Sequence, residues 1–354
     1  MGTAMEKHEF YAAMVLASIT ATICGPYQSL ADQITIASWG GNVTDANRAA
    51  YWEPFTTESG IAVVDDVFNG EIAKLRVQVE TGSIQWDIAE VEDAEAIVGC
   101  DEGLYEFLVI DTLPIDDMLP GTVTDCGIAS LSAASVLTYN GTKFEEGPKT
   151  WTDFFNLNAF PGKRGLRKSP TYTLEFALLA DGVPREEIYE VLATPEGQDR
   201  AFAMLDRIKD EIVWYSSGTQ QIQGFISGEY DIGVGFNARV ADANREQRVD
   251  LRMSWNAGYI VGHNFWVVLA GSSRIEEVRK FLEFVTRPDR QAAFMEYIDY
   301  GSSNRESYKL LPEDRKTYLP GAGDHAEYQI SYDAQFWSNH LDQLTERFNR
   351  WIGE

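Results

Sequence analysis

Residues 34–98 read ITIASWGGNVTDANRAAYWEPFTTESGIAVVDDVFNGEIAKLRVQVETGSIQWDIAEVEDAEAIV, and their hydrophobic periods alternate between strand and helix. Ile34 to Trp39 is a short β-type run turned by Gly40-Gly41; Thr44 or Asp45 can then cap a helix running to about Ser59, and Gly60 stops it. Ala62 to Phe68 is a second strand, Asn69-Gly70 a turn, and Glu71 to Thr81 a helix with Ile72, Leu75, Val77 and Val79 apolar. Trp86 to Val91 is a third strand, followed by a helix near Asp93 to Val98. This β-α-β-α-β order predicts an α/β fold whose mostly parallel sheet carries helices on both faces. Ligands of such sheets sit beyond the carboxyl ends of the strands, which singles out Trp39-Gly40-Gly41 and Glu92-Asp93.

Beyond Tyr139-Asn140-Gly141 a second series follows. Trp151 to Phe155, Tyr172 to Ala180, Glu186 to Leu192 and Glu196 to Ile208 read as helices, the last opened by Thr194-Pro195. A strand at Ile212 to Tyr215, a helix near Gln220 to Ile226 and a strand at Asp231 to Phe236 come next. Strands near Leu251 to Trp255 and Phe265 to Ala270 precede helices at Ile275 to Val285 and Pro288 to Tyr297, and an aromatic-rich helix runs from about Asp333 to Ile352. The 354 residues are about twice a typical domain of ~150 residues. Two lobes without a Pro/Gly-rich linker predict a chain that crosses between them more than once.

With 44% hydrophobic residues the composition is globular. Lysine plus arginine is 29 against 55 aspartate plus glutamate, a net charge of −26. That field repels phosphate backbones, so nucleic acid is not expected as a partner, and it disfavours lying on an anionic membrane surface; it is equally a solubility device. From Phe10 to Cys24 the run FYAAMVLASITATIC has no charge, and Ser29-Leu30-Ala31 offers small residues before a cleavage point, the pattern of a secretory signal peptide over 1–31. Fifteen such residues are too few to span about 30 Å of hydrocarbon. Glu6, Lys7, His8 and Glu9 depart from the usual positive leader, which puts the start codon in question. After cleavage Cys100 and Cys126 remain, to form one disulfide in an exported chain or to stay as two buried thiols.

Ile34-Thr-Ile-Ala-Ser-Trp39-Gly-Gly, Tyr51-Trp-Glu-Pro-Phe-Thr-Thr-Glu-Ser-Gly-Ile61, Gly228-Glu-Tyr-Asp-Ile-Gly-Val-Gly-Phe-Asn237 and the segment Val278 to Phe294 resemble, in this order, the spermidine/putrescine branch of periplasmic solute-binding proteins of ABC importers. The resemblance covers nearly all of the mature chain and implies two α/β lobes of the type II periplasmic binding fold, closing by a hinge on a solute. It places crossovers near Val136 to Asn140, His263 to Phe265 and Arg305, with lobes of 32–137 plus 264–305 and 138–263 plus 306–354. The closed protein, expected to be a monomer without cofactor or metal, would deliver its solute to a membrane permease and ATPase.

The family's polyamine site joins aromatic walls to carboxylates, since ammonium groups favour π faces and anionic oxygens. Carried over, the resemblance implies Trp39 with Gly40, Phe236 with Asn237, and Tyr300, while Glu92 and Asp93 could supply carboxylates or merely start a helix. Tyr215, at the end of its strand, joins these candidates. Where polyamine binders place an aspartate this chain has Asn264, and where they place acids of the second lobe it has Ser169 and Tyr172, just after the basic Arg164, Arg167 and Lys168. Glu175 could lean into the cleft or cap its helix. A polyamine such as putrescine or spermidine is therefore the first expectation. An amino acid or carboxylated amine, with Arg167 or Lys168 meeting the carboxylate, is the alternative.

An enzyme on the same fold finds little support. Gly233-Val-Gly235-Phe-Asn-Ala238 fits a dinucleotide fingerprint, but its first glycine falls inside a strand. There is no H-E-x-x-H, no G-x-S-x-G and no paired CxxC, and the four histidines are scattered. A chemoreceptor-facing sensor would share the binding site but need no permease.

Overall fold

The computed structural model describes residues 32–68, 71–108 and 113–353. The signal-peptide reading of 1–31 and the Asn69-Gly70 turn lie outside the described residues. Among the described residues, ten strands form one continuous sheet: β1 Gln33–Ser38, β2 Ala62–Val67, β3 Ile88–Glu92, β4 Gly127–Asn140, β5 Arg164–Arg167, β6 Ile212–Tyr215, β7 Ile232–Phe236, β8 Leu251–Met253, β9 Tyr259–Val268 and β10 Gln329–Ser331. Their order is β2-β1-β3-β9-β4-β7-β5-β6, with β10 added to β9 and β8 to β4. Two parallel triplets, β2-β1-β3 and β7-β5-β6, flank the antiparallel pair β9/β4. Each triplet with its helices is one lobe, so the fold is the expected two-lobed α/β arrangement.

The central pair joins the lobes. At 14 residues β4 is long enough to reach about 48 Å. Its first part pairs with β9 and its last part, Ser135 to Tyr139, with β7. β9 in turn pairs Asn264 to Val268 with β3 and Tyr259 to Val261 with β10. The sequence reading placed only the end of β4 and the second half of β9. Half of the 14 residues of β4 are Ala, Ser or Gly, and both of its faces are buried, so no alternation marks it as a strand. Gly262-His263-Asn264 likewise interrupts the apolar run of β9.

Alternation does govern the core. Trp266 faces a cluster with Ile34, Ile36, Tyr51, Phe55 and Phe281, while its neighbour Phe265 faces another with Ala37, Phe68, Trp86 and Cys126. The other lobe packs around Trp151, stacked on Phe176 at 3.8 Å, with Leu205, Trp337 and Phe348. Tyr308, Leu311, Leu319 and Ala322 pack in the first of these clusters, so the chain stays with that core well past Arg305. Thr44 and Asp45 do not cap a helix; the helix Gly41–Asn47 already contains them. The Thr44 hydroxyl instead accepts from the Gly40 N–H at 3.0 Å and donates to the Ser38 hydroxyl at 3.1 Å, fastening the end of β1 to the helix that follows. Gly60 ends the helix Glu53–Ser59 at φ 76°, a left-handed value that costs glycine little.

Cys100 and Cys126 are bonded, with Cα atoms 5.8 Å apart. The bond ties the end of the helix Asp93–Asp101, which begins at the candidate site, to the residue preceding β4. Reduction, or the double change Cys100→Ala and Cys126→Ala, is expected to lower the unfolding free energy by about 3 kcal/mol from loop entropy. Denaturant unfolding with and without reductant measures this; coincident curves would show that the bond constrains nothing.

Candidate functional site

The carboxyl ends of β3, β5 and β7 converge on the middle of β4 and β9. Glu92 stands opposite Asn264 in the β3/β9 ladder, and Ser135 pairs with both Phe236 and Ile260 where β4 exchanges partners. A cavity of about 390 Å³ opens at this junction. Its size falls in the range of small-molecule sites, about 300–1,000 Å³. Its lining holds the acids Glu92, Asp93 and Glu95, the base Arg167 with Ser169, and the rings of Tyr172, Phe236 and Tyr332.

Each charged group is held by local structure. Asp93 begins the helix Asp93–Asp101, where an acid suits the positive end of the helix dipole. Its carboxylate accepts from the His263 backbone N–H at 2.7 Å. Burial pushes the Asp93 carboxyl up to about 7, with Glu92 and Glu95 adding to the effect against the His263 bond. Burial also raises Glu92, again reinforced by Glu95 and opposed by Arg167. His263 shares a 2.8 Å hydrogen bond between Nδ1 and the Ser132 hydroxyl, and burial lowers it to about 4, so the imidazole is neutral at pH 7. Arg167 ends β5, and its guanidinium lies 5.8 Å from the centre of the Tyr172 ring. Tyr172 adopts φ 67° just before the helix Thr173–Ala180, a strained value for a residue with a Cβ. Such strain costs of order 1–3 kcal/mol and concentrates at ligand sites.

Of the residues singled out from sequence, Glu92, Asp93, Ser169, Tyr172, Phe236, Asn264 and Arg167 come together in this cavity. Trp39, Gly40, Tyr215, Asn237 and Tyr300 are not in its lining. Half-buried Trp39 packs near Phe68 at 6.5 Å, and Gly40 takes φ 76° to turn the chain. Tyr215 is buried, donates to the Val234 carbonyl and backs Phe236 edge-on at 6.4 Å. The Asn237 carboxamide is fully used: it accepts from Ala134 N–H and donates to the carbonyls of Asp299 and Tyr318. Tyr300 packs on the core of the first lobe.

Arg164 is buried with its guanidinium on the carbonyls of Phe154, Phe160 and Gly162, and Lys168 is exposed, so neither shares Arg167's place. Glu175 turns into the core and accepts from the Trp337 indole at 2.8 Å. It does not line the cavity. Sequence reasoning missed Glu95, Ser135, His263 and Tyr332. Glu95 follows Glu92-Asp93 closely enough to have been counted, whereas Tyr332 is a single ring in a polar turn with no local signal.

A model of the bacterial extracellular solute-binding protein family matches residues 50–318. The gamma-aminobutyric acid-binding protein of Pseudomonas aeruginosa is 40% identical over 327 residues, 92% of this chain and 92% of its own. A norspermidine sensor of Vibrio cholerae is 22% identical over 315 residues, 84% of this chain and 83% of its own. A solved structure of a GABA receptor, 33% identical, superposes with a TM-score of 0.77 and covers 91% of this chain and 98% of its own.

The raised Asp93 value has a thermodynamic sign. The folded protein holds this proton up to about pH 7, against an ordinary value of 3.8. Stability from the group is therefore complete below 3.8 and lost as pH rises through about 7. Ligand-free Asp93→Asn, whose amide oxygen still accepts from His263, is expected to gain stability over the parent at pH 8 but not at pH 4. Denaturation at the two pH values tests this, and an equal difference at both would contradict it.

Proposed function

The chain belongs to the bacterial extracellular solute-binding proteins, the binding components of ABC importers, and we propose that its cavity holds a short zwitterion, an ω-amino acid of the γ-aminobutyrate class. Its work is binding and delivery of a small solute to the permease and ATPase, not chemistry. The observation that carries the ligand reading is the presence of Arg167 in the same cavity as Glu92, Asp93 and Glu95. A diamine would satisfy the acids but leave the guanidinium facing a second cation. A carboxylate at Arg167 and an ammonium at Asp93 satisfy both ends with charge-assisted hydrogen bonds, each worth about 1.5–3 kcal/mol. Tyr172, Phe236 and Tyr332 would pack the methylenes and face the ammonium. The names of the GABA-binding relatives support the same reading.

The excess of three acids over one base favours the polyamine reading, as does the norspermidine sensor, so diamines belong in the test. Export through a cleaved leader over 1–31 is part of the proposal, as is closure by bending of β4 and β9. We place the lobes as 32–137 with 264 onward and 138–263 with the C-terminal segment, the last crossing falling after Ala322, where packing against the first core ends.

Calorimetric titration with γ-aminobutyrate, butyrate, butylamine and putrescine decides between the readings. The zwitterion is expected to bind at least about 100-fold more tightly than either singly charged analogue, the equivalent of about 2.7 kcal/mol for the lost charged contact. Arg167→Gln should cost γ-aminobutyrate about 2 kcal/mol and leave putrescine unharmed. Putrescine bound more tightly than γ-aminobutyrate, with Arg167→Gln without effect, would establish a polyamine protein instead.

A further inference from the structure

A second open cavity, of about 320 Å³, lies beside the first. Asp93 and Tyr332 line both. The remainder of its lining includes Ile97 of the helix that Asp93 begins, Thr124 ahead of β4, Tyr189, and Ser331 and Asp333 on either side of Tyr332. Tyr332 is thus a wall between two spaces. Its backbone is fixed, since β10 pairs with β9 through Ser331 opposite Val261 and the Tyr332 N–H donates to the Val261 carbonyl at 3.0 Å. Its ring is restrained on the first-cavity side by Tyr172, whose centroid is 5.8 Å away.

Resting on the zwitterion reading above, we propose that Tyr332 is the specificity-determining residue that sets the length of the ligand, by closing the ammonium end of the site against the second cavity. The position of Asp93 makes this follow. An ammonium paired with Asp93 sits at the partition itself, while the carboxylate is anchored at Arg167, so each added methylene drives the amine towards the Tyr332 ring. A site so walled takes a four-carbon ω-amino acid and resists longer ones. Removing the ring joins the two spaces, and the extended amine then enters the second cavity. Besides Asp93, the acid in that lining is Asp333, which also accepts from the Phe336 N–H at 2.8 Å at the start of the helix Ala334–Gly353.

The test titrates γ-aminobutyrate, 5-aminopentanoate and 6-aminohexanoate into the full protein and into Tyr332→Ala, Tyr332→Phe and the double variant Tyr332→Ala with Thr124→Phe, which refills the second cavity. Wild type should prefer the four-carbon over the six-carbon ligand by about tenfold or more, the discrimination that one or two methylenes give in a closed pocket. Tyr332→Ala should shift that ratio by about tenfold towards the longer ligand, Tyr332→Phe should keep it, and the double variant should restore it. Tyr332→Leu serves the same comparison if the alanine variant does not fold. An unchanged ratio in the truncated variant, with γ-aminobutyrate still bound by wild type, overturns the role of Tyr332. Failure of wild type to bind any of the three overturns the zwitterion reading itself, and with it this inference.

Discussion

Everything in this molecule hangs on the antiparallel ladder between β4 and β9, two long strands that each lobe uses as its own. Small residues along β4 let helices and loops approach it from both faces, which Val or Leu at those positions would prevent. At Ser135 the strand passes from one lobe's pairing to the other's, and at that point the sheet opens into a cavity bordered by the ends of β3, β5 and β7. Hydrogen bonds from Asn237 then tie the helix that follows β7 to β4, to Asp299 and to Tyr318. Buried Asp299 is itself clasped by Arg245 and by Arg315 at 3.4 Å. The junction around β4 is therefore held by polar contacts as well as by apolar packing.

The same ladder forces an electrostatic cost. It gathers Glu92, Asp93 and Glu95 in one cavity lining, in a protein already at −26, and Asp93 is partly desolvated there. Carboxylates held this way are destabilised in the empty protein, so on the proposed reading part of the ligand's binding energy is relief of that cost. Arg167 shares the cavity, and its charge opposes the rise at Glu92. Opposite charges separated within one cavity are what a zwitterion can satisfy and a simple diamine cannot.

Much of the fold was legible because β1, β2 and β3 and their helices alternate in ordinary apolar periods, and the matching strands were placed within a residue or two. β4 was not, because a strand buried on both sides and rich in Ala and Ser carries no period. Arg167, Glu92 and Asp93 were legible as charged residues at strand ends, whereas Asn237, Arg164 and Glu175 have the right chemistry for ligands but spend it on backbone carbonyls and an indole. That distinction is made by tertiary placement, which no local pattern encodes. Tyr332 is the converse, a residue without any signal that the return of the C-terminal segment to β9 brings to the site.

The most direct measurement is a crystal structure of the protein closed on γ-aminobutyrate. The carboxylate should lie within hydrogen-bond distance of the Arg167 guanidinium and the ammonium within the same distance of Asp93, with the methylenes against Tyr172, Phe236 or Tyr332. A ligand lying elsewhere, or bound with its amine directed away from Asp93 and its carboxylate away from Arg167, would contradict the pairing of opposite charges on which the proposed function rests.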